Sequence, residues 1–396
     1  MLDQLAGKRS QDLPAKKRGE MMTDKRIANL AKTLVNYCVS VREKDRVGII
    51  AQPPATPLLQ EVLREVLRSG GYPYLLPYSV PLPTPAYEGL AQIFHEEANP
   101  DQLMHEDVFW KTLNEDFEVR IFIQSEYNTQ SLSDIPPEKL KIRRQAYKNI
   151  NDTYFKRMST GDLRRVSTLF PTQAYADDAG MTLTEFEDYV YSTTFSDCDD
   201  PVSEWNRIRD EQQSLVDWLN GKKEVRVVGP NVDMTLSIDG RIFINSDGKQ
   251  NMPSGEIFTG PVEDSAQGWV RFTHPAILSG REVEGVELHF ENGRVTKASA
   301  KKNEEYLFTM LDLDEGSRYL GEFAIGTNKK INRFIKKILF DEKIGGTIHM
   351  ALGKGYPITG SQNQSAIHWD MICDMREGGQ ILVDGELFYD SGQFMV

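Results

Sequence analysis

The hydrophobic pattern at the start of the chain predicts a strand, a helix and a second strand in that order. A continuous apolar run at residues 46–52 is typical of a buried strand. Residues 56–69 then repeat apolar side chains at the three- and four-residue spacing of an amphipathic helix, and Gly70-Gly71 ends it. A second apolar run follows at residues 72–79. Strands joined by a helix in this way pair in parallel, so the pattern predicts a β-α-β unit.

The same alternation continues to about residue 220. The further segments with strand or helix spacing are residues 118–124, 136–159, 182–194 and 201–219. Asn220-Gly221 is a standard helix-end signal after the last of them. We therefore expect an α/β N-terminal domain at residues 24–221.

Beyond residue 221 the pattern changes to short alternating runs. Turn signals such as Asp239-Gly240 and Asp247-Gly248 separate them, which is typical of antiparallel strands. Helical spacing interrupts the strands at residues 301–313 and 330–339. This pattern predicts a second domain at residues 222–396, of the α+β class, rich in antiparallel strands.

Composition and charge narrow the class of protein. The net charge of −13 over 396 residues argues against nucleic acid as a partner. The three cysteines are far apart, which disfavours a disulfide framework and a thiolate zinc site. Residues 1–23 are polar and basic without an apolar segment, which predicts a flexible leader rather than a secretory signal. The cysteine usage favours a reducing, cytoplasmic compartment. With no apolar run of about 18 residues, we expect no membrane span.

Two histidines and an aspartate stand close together near the C-terminus. They are His349, His368 and Asp370. Alternate side chains of a strand share a face, so His368 and Asp370 should lie side by side. An imidazole next to a carboxylate, with a second imidazole one loop away, is half of a divalent metal site.

Two glutamates could complete that site. Glu256 and Glu322 both stand among apolar residues and glycines. A carboxylate buried alone costs several kcal/mol, and a bound metal ion removes this cost. Each could equally be the exposed residue of a half-buried strand or helix. Together with the three residues above, they form an oxygen and nitrogen set that suits two ions of zinc, cobalt or manganese if one carboxylate bridges.

Four stretches around these residues resemble the thermophilic metallo-aminopeptidase family, the aminopeptidase S/T group of leucyl aminopeptidase-like exopeptidases. They are MPSGEIFTGPVEDSAQGWVRF, LGEFAIGTN, ILFDEKIGGTIHMALGKGYP and NQSAIHWDMICDM. The resemblance implies two metal ions per chain, with zinc or cobalt favoured and manganese or magnesium tolerated. It implies that the ligands are Glu256, Glu322, His349, His368 and Asp370.

The resemblance also implies the roles of individual residues. Glu322 is the bridging ligand, and Tyr356 matches a tyrosine that stabilises the transition state. As proton acceptor, Glu322 is one candidate, and Glu256 and Glu263 stay open. Lys354 departs from the family pattern, since a small or polar residue is expected there.

The function that follows from the resemblance is that of a dinuclear metallo-aminopeptidase. A water activated by two metals would release the N-terminal residue from peptides with a free N-terminus. The resemblance also implies a homodimer. Two alternatives stay open: a two-metal hydrolase of another amide or of a phosphate ester, and a catalytically inactive peptide-binding homologue. The metal content of the purified protein separates an enzyme from a binding module without metal.

Overall fold

The computed structural model describes residues 24–76, 89–132, 134–278 and 280–396. The predicted leader and the end of the predicted strand at residues 72–79 lie outside these ranges. The first part of the chain alternates helices and strands, as predicted. Its helices are α1 (Lys25–Lys32), α2 (Thr56–Arg68), α3 (Leu90–Glu97), α4 (Pro100–Met104), α5 (Val108–Asp116), α6 (Pro137–Ala146), α7 (Lys148–Thr160), α8 (Gln173–Asp178), α9 (Leu183–Thr193) and α10 (Pro201–Leu219), and a π-helix, Thr33–Cys38, continues α1. Its strands are β1 (Arg46–Ala51), β2 (Tyr72–Leu76), β3 (Val119–Gln124) and β4 (Arg164–Leu169).

These four strands form a parallel sheet. The order is β2-β1-β3-β4, and each neighbouring pair is parallel. The crossover between β1 and β2 is α2, which buries Leu58, Val62 and Val66. This arrangement confirms the α/β prediction for the first part of the chain.

The second part of the chain is made mainly of antiparallel strands. The strands of this part are β5 (Glu224–Gly229), β6 (Val232–Ser237), β7 (Ile244–Ser246), β8 (Asn251–Met252), β9 (Glu256–Thr259), β10 (Gln267–Arg271), β11 (Ala276–Leu278), β12 (Arg281–Val283), β13 (Glu287–Glu291), β14 (Arg294–Ser299), β15 (Leu320–Gly326), β16 (Thr347–Gly353), β17 (His368–Asp374), β18 (Gln380–Val383), β19 (Glu386–Asp390) and β20 (Gln393–Phe394). The helices are α11 (Glu304–Leu311) and α12 (Ile338–Asp341).

Two sheets of this region share one hydrophobic core. The larger has the order β14-β13-β10-β6-β5-β18-β19-β20, and the smaller has the order β17-β16-β15-β9-β7. Val227 and Leu288 from the larger sheet belong to the same buried cluster as Phe323 and Met350 from the smaller. This confirms the prediction of an α+β region rich in antiparallel strands. Two short strands, β11 and β12, pair with each other.

Two elements connect the parallel sheet to the second region. Strand β8 leaves the antiparallel region and pairs in parallel with β4, so it extends the parallel sheet. Helix α10 places Trp205, near its start, in the core of the parallel sheet, and it places Leu219, its last residue, in the core of the antiparallel region. The predicted boundary at residue 221 therefore follows a helix that serves both cores.

Two helix predictions are wrong in detail. Residues 330–339 form turns followed by the short helix α12. Ile331 and Ile335 are four residues apart and both buried, which is the spacing of a helix. The backbone N–H of Ile335, however, donates to the Asp341 side chain over 2.8 Å and not to a backbone carbonyl of a preceding helical turn. Residues 136–159 form two helices, α6 and α7, which meet at Tyr147. In the described parts of the chain, no helix combines the length and hydrophobicity that a membrane span requires.

Candidate metal centre

The five predicted ligands lie on one face of the smaller antiparallel sheet. Residues directly opposite each other in antiparallel strands point to the same side of the sheet. The opposed pairs are Glu256 with Gly326, Glu322 with Ala351, His349 with Ala324, Asp370 with Ala351 and His368 with Gly353. Each ligand thus has an alanine or a glycine opposite it on one neighbouring strand, which leaves room there for the functional side chains. On the other neighbouring strand, Glu256 lies opposite Ser246 and His349 opposite Ile372.

The alternate residues of the same strands build the hydrophobic core. Ile257, Phe323, Met350 and Trp369 each stand next to a ligand in sequence and point to the opposite face. In sequence, these strands are therefore apolar runs interrupted by charged residues, because one face of the sheet packs in the hydrophobic core and the other carries the candidate ligands. This alternation is why Glu256 and Glu322 stand among apolar residues in the sequence.

Short distances join the carboxylates and imidazoles. Nε2 of His349 lies 3.3 Å from Oε1 of Glu322 and 3.6 Å from Oε2 of Glu256. Nε2 of His368 lies 3.4 Å from Oε2 of Glu322 and 3.3 Å from Oδ1 of Asp370. Glu256, Glu322 and His349 are 5, 4 and 1 % exposed, so these groups meet away from bulk water.

A sixth candidate, Glu342, was not predicted as a ligand. It follows α12, and its carboxylate joins His349 and Asp370 in a group whose ligand atoms lie within 4.8 Å of one another. Two further trios satisfy the same limit: Glu256 with Glu322 and His349, and Glu322 with His368 and Asp370. The sequence signal was present, since Glu342 lies in the stretch ILFDEK that supported the resemblance.

Burial and neighbouring charges shift the pKa values of the cluster. Burial raises the pKa of Glu256, Glu322 and Glu342 above the ordinary value of a glutamate. Burial alone would lower the pKa of His349 and His368, but the adjacent carboxylates outweigh it and raise both. The neighbouring carboxylates thus favour the protonated form of both imidazoles.

Several atoms of the cluster fit a bound cation. Among the described residues, Oε2 of Glu256, Nδ1 of His349 and Oδ1 of Asp370 are buried without a hydrogen-bond partner. An unsatisfied buried polar atom costs about 1–3 kcal/mol, and a metal ion would remove this cost. Oxygen and nitrogen donors without sulfur suit zinc, cobalt, manganese or magnesium. The donor set therefore fits a divalent metal.

The loop before β17 orients His368. The imidazole Nδ1 lies 2.7 Å from the carbonyl oxygen of Lys354, to which it donates when it carries a proton. This contact directs Nε2 towards Glu322 and Asp370, in the way that outer hydrogen bonds orient metal-binding histidines. The side chain of Lys354 points elsewhere: its ammonium lies 4.8 Å from the ring centre of Phe155 in α7.

Tyr356 borders the cluster. Its ring lies 5.2 Å from the ring of His368 and 5.5 Å from that of Phe258, which shares a sheet face with Glu256. The residue is 38 % exposed, and its partial burial together with the carboxylates of Glu322 and Asp370 raises the pKa of Tyr356 above its usual range. The hydroxyl therefore stays protonated near neutral pH and can donate a hydrogen bond.

Glu263, a candidate proton acceptor, lies outside the three trios of the described residues. Its carboxylate pairs with Arg241 and accepts a hydrogen bond of 2.6 Å from the backbone N–H of Gln362. Glu263 thus stabilises the loop that follows Tyr356.

Lys343 is a charged residue of this region that the sequence did not single out. It is fully buried, and its ammonium lies 3.7 Å from Oε1 of Glu256 and in contact with Oε1 of Glu342. Burial alone would lower the pKa of Lys343, but these two carboxylates raise it. The lysine therefore places a positive charge beside two candidate ligands.

Comparison with known proteins places the chain among peptidases. The model of a family described as thermophilic metalloprotease (M29) matches residues 23–394. Aminopeptidase 2 of Geobacillus stearothermophilus is 30 % identical over 256 residues, which cover 58 % of this chain and 60 % of that protein. Aminopeptidase T of Thermus aquaticus is 27 % identical over 334 residues, 76 % of each chain. The chain thus spans less than two thirds of the length of the first of these relatives.

A solved structure has the same fold. Wild-type AmpT from Thermus thermophilus superimposes with a TM-score of 0.82 at 20 % sequence identity, and the match covers 94 % of this chain and 99 % of that one. At this identity the likeness establishes the architecture and nothing about substrates.

Proposed function

The chain belongs to the thermophilic metalloprotease (M29) family, and from this premise we propose that it is an aminopeptidase, which removes the N-terminal residue from peptides with a free N-terminus. Two relatives that support the proposal, at 30 and 27 % identity, are named aminopeptidases. The observation that carries it is the set of three overlapping trios of ligand atoms, five of whose residues lie on one face of the smaller antiparallel sheet while Glu342 joins them from the turn after α12.

We propose that the site holds two divalent metal ions, with zinc or cobalt favoured and manganese or magnesium tolerated. Its ligands are Glu256, Glu322, His349, His368 and Asp370, and the geometry adds Glu342. When bound, two such ions provide a nucleophilic water near neutral pH and polarise the scissile carbonyl. Glu322 is the bridging ligand in this proposal, because each of its oxygens faces a different histidine.

Two residues act on the substrate directly. In this proposal Glu322 accepts the proton of the attacking water, as a carboxylate within hydrogen-bond reach of that water can. Tyr356 donates its hydroxyl proton in a hydrogen bond to the oxygen of the tetrahedral intermediate, as oxyanion donors do. Its ring packs on Phe258 and His368, which holds the hydroxyl at the edge of the cluster.

The contact between Lys354 and Phe155 supports a site enclosed between the two regions of the chain. It brings α7 of the first region next to the loop that carries Tyr356. A confined entrance suits an exopeptidase, because the enzyme must exclude the middle of a long chain. We also propose, from the family resemblance, a cytoplasmic homodimer; sedimentation of the purified protein at the mass of one 45.0 kDa chain would contradict the dimer.

Chelation tests the activity. The purified protein should hydrolyse leucine p-nitroanilide, lose this activity after dialysis against a strong chelator, and regain it with cobalt or zinc. N-acetyl-leucine p-nitroanilide is the matched control, since it lacks the free amino group and should not be cleaved. Hydrolysis that is unchanged after chelation would contradict the metallo-aminopeptidase proposal. Cleavage of p-nitrophenyl phosphate in place of the peptide analogue would favour a phosphate-ester hydrolase. Absence of bound metal in a metal-replete buffer, together with absence of turnover, would favour an inactive peptide-binding homologue.

A further inference from the structure

Lys343 is a fully buried cation that the proposed chemistry does not use. A buried ammonium costs several kcal/mol unless carboxylates compensate it. Here Glu256 and Glu342 do so, at 3.7 Å and in direct contact. Both carboxylates are candidate metal ligands, so the lysine and a metal ion share the same two anions.

The lysine contacts only part of the cluster. Glu256 and Glu342 belong to two different trios, and both of these trios contain His349. The remaining trio consists of Glu322, His368 and Asp370. In the described structure, the ion pairs of Lys343 are with Glu256 and Glu342, and neither belongs to that trio.

The charge of Lys343 therefore acts unequally on the two halves of the cluster. Repulsion between two cations falls with distance and is strong in a dry interior. A metal ion beside His349 would share ligands with the ammonium, whereas an ion beside His368 would not. At the His349 side, the ammonium also holds the two carboxylates in place when no metal ion is bound there.

We propose that Lys343 makes the two metal positions unequal: the position at Glu322, His368 and Asp370 binds its ion tightly, and the position at His349 binds its ion weakly and exchanges it. This inference rests on the proposed two-metal function. In low metal the chain then holds a single ion, and the second arrives only as the metal concentration rises. Lys343 is a positioning residue in this scheme, since it acts through Glu256 and Glu342.

Zinc binding to the full-length, metal-stripped protein tests the inference. Equilibrium dialysis over a wide range of free zinc, with bound metal counted by mass spectrometry, should give two classes of one ion each. We expect their dissociation constants to differ by about tenfold or more. In Lys343→Met the weaker class should tighten by about tenfold or more while the tighter class stays unchanged, and Lys343→Arg should keep the separation.

Lys337 provides a matched control. Its ammonium also lies near two carboxylates, 3.7 Å from Glu126 and 3.9 Å from Asp178, and neither belongs to the metal trios of the described residues. Lys337→Met removes a lysine with similar partners, so it should leave both zinc constants unchanged. This control separates a general loss of stability from a change at the metal positions.

The possible results decide the inference separately from the function. Two zinc ions bound with equal constants in the natural protein would overturn the role of Lys343 and leave the proposed function intact. The same holds if folded Lys343→Met keeps the original separation. If Lys343→Met does not fold, the isotherm of the natural protein and that of Glu342→Gln decide: loss of the weaker class alone supports the inference, and loss of the tighter class overturns it. Fewer than one ion per chain at saturating zinc would overturn the function as well.

Discussion

Glu322 directs its two carboxylate oxygens at two different histidines, with Oε1 3.3 Å from Nε2 of His349 and Oε2 3.4 Å from Nε2 of His368. A register shift between Leu320 and Glu322 precedes this arrangement in β15. Gly321 permits it, because a Cβ there would lie 2.2 Å from the carbonyl oxygen of Gly353. The side chain is thus placed at the junction of the two histidine positions.

Replacing Glu322 by glutamine should therefore disturb both metal positions. We expect Glu322→Gln to bind at most one ion per chain and to lower kcat/KM by about a hundredfold or more, because a neutral amide neither bridges two cations nor accepts a proton well. Metal analysis and leucine p-nitroanilide hydrolysis measure both effects. Glu263→Gln, which changes a carboxylate outside the cluster, should keep its metal. Full metal content and full activity in Glu322→Gln would contradict its assigned role.

Tyr356→Phe should separate catalysis from metal binding. The ring packing on Phe258 and His368 is preserved, while the hydrogen-bond donor to the oxyanion is lost. We expect kcat to fall by about 10²–10³-fold, with KM and metal content little changed. The control is Tyr306→Phe, which removes a 3.2 Å hydrogen bond to the carbonyl oxygen of Leu278. The ring of Tyr306 lies beside Trp369, on the core face of the smaller sheet and away from the metal cluster. An unchanged kcat in Tyr356→Phe would exclude the hydroxyl from the reaction.

Acid should weaken an ion pair at the edge of the parallel sheet. Hydrogen bonds from the Arg46 guanidinium lower the pKa of Glu118 from 4.5 to about 2. A carboxyl whose pKa is lower in the folded state stabilises the fold above the unfolded value, and the effect is lost as the pH falls from 4.5 towards 2.

Because both side chains are more than a third exposed, at 41 and 36 %, screening reduces the contribution. We expect about 0.5–1 kcal/mol at neutral pH. Urea unfolding of the natural protein and of Glu118→Gln should show this difference at about pH 7 and a smaller one at about pH 3.5. A difference that is the same at both pH values would show that the charge of Glu118 does not contribute.

The local parts of the fold and site were predictable from the sequence. The β-α-β unit was predicted from the apolar run of β1, the amphipathic spacing of α2 and the helix end at Gly70-Gly71. The shared face of His368 and Asp370 was predicted from strand alternation. These are short-range rules with a fixed period. The helix expected at residues 330–339 is absent from most of that range. Apolar residues four positions apart are typical of a helix, but turns can bury two isoleucines at the same spacing.

The long-range parts could not be derived from periodicity. Glu256, Glu322 and His349 meet because the register of three strands aligns them, and no local pattern fixes that register. The resemblance supplied the set. Glu342 was not predicted as a ligand because its carboxylate enters the cluster from a turn. Strand alternation does not indicate which way a side chain in a turn points.

Glu342 should nevertheless behave as a ligand of one position only. It shares its trio with His349 and Asp370, and it does not belong to the trio that contains His368. We expect Glu342→Gln to bind one zinc ion per chain where the natural protein binds two. Asp312→Asn, which changes an exposed carboxylate paired with Arg318, is the control and should bind both. Two tightly held ions in Glu342→Gln would remove it from the ligand set.

The two faces of β16 should respond differently to substitution. Ala351 lies on the site face, opposite both Glu322 and Asp370, and is fully buried. In Ala351→Leu the added side chain occupies the space between these carboxylates, so we expect bound zinc to fall to one ion or fewer per chain. Overpacking should lower the free energy of unfolding by about 1–3 kcal/mol.

Ile348 lies on the opposite, core face of the same strand. Ile348→Val should lower the free energy of unfolding by about 0.5–1.5 kcal/mol and leave the metal content unchanged, because it alters only the core. Ala351→Gly, which adds no atoms, should keep both metal ions. Metal analysis and urea unfolding of the three variants measure the contrast. Loss of metal in Ile348→Val, or two zinc ions in Ala351→Leu, would contradict the assignment of the faces.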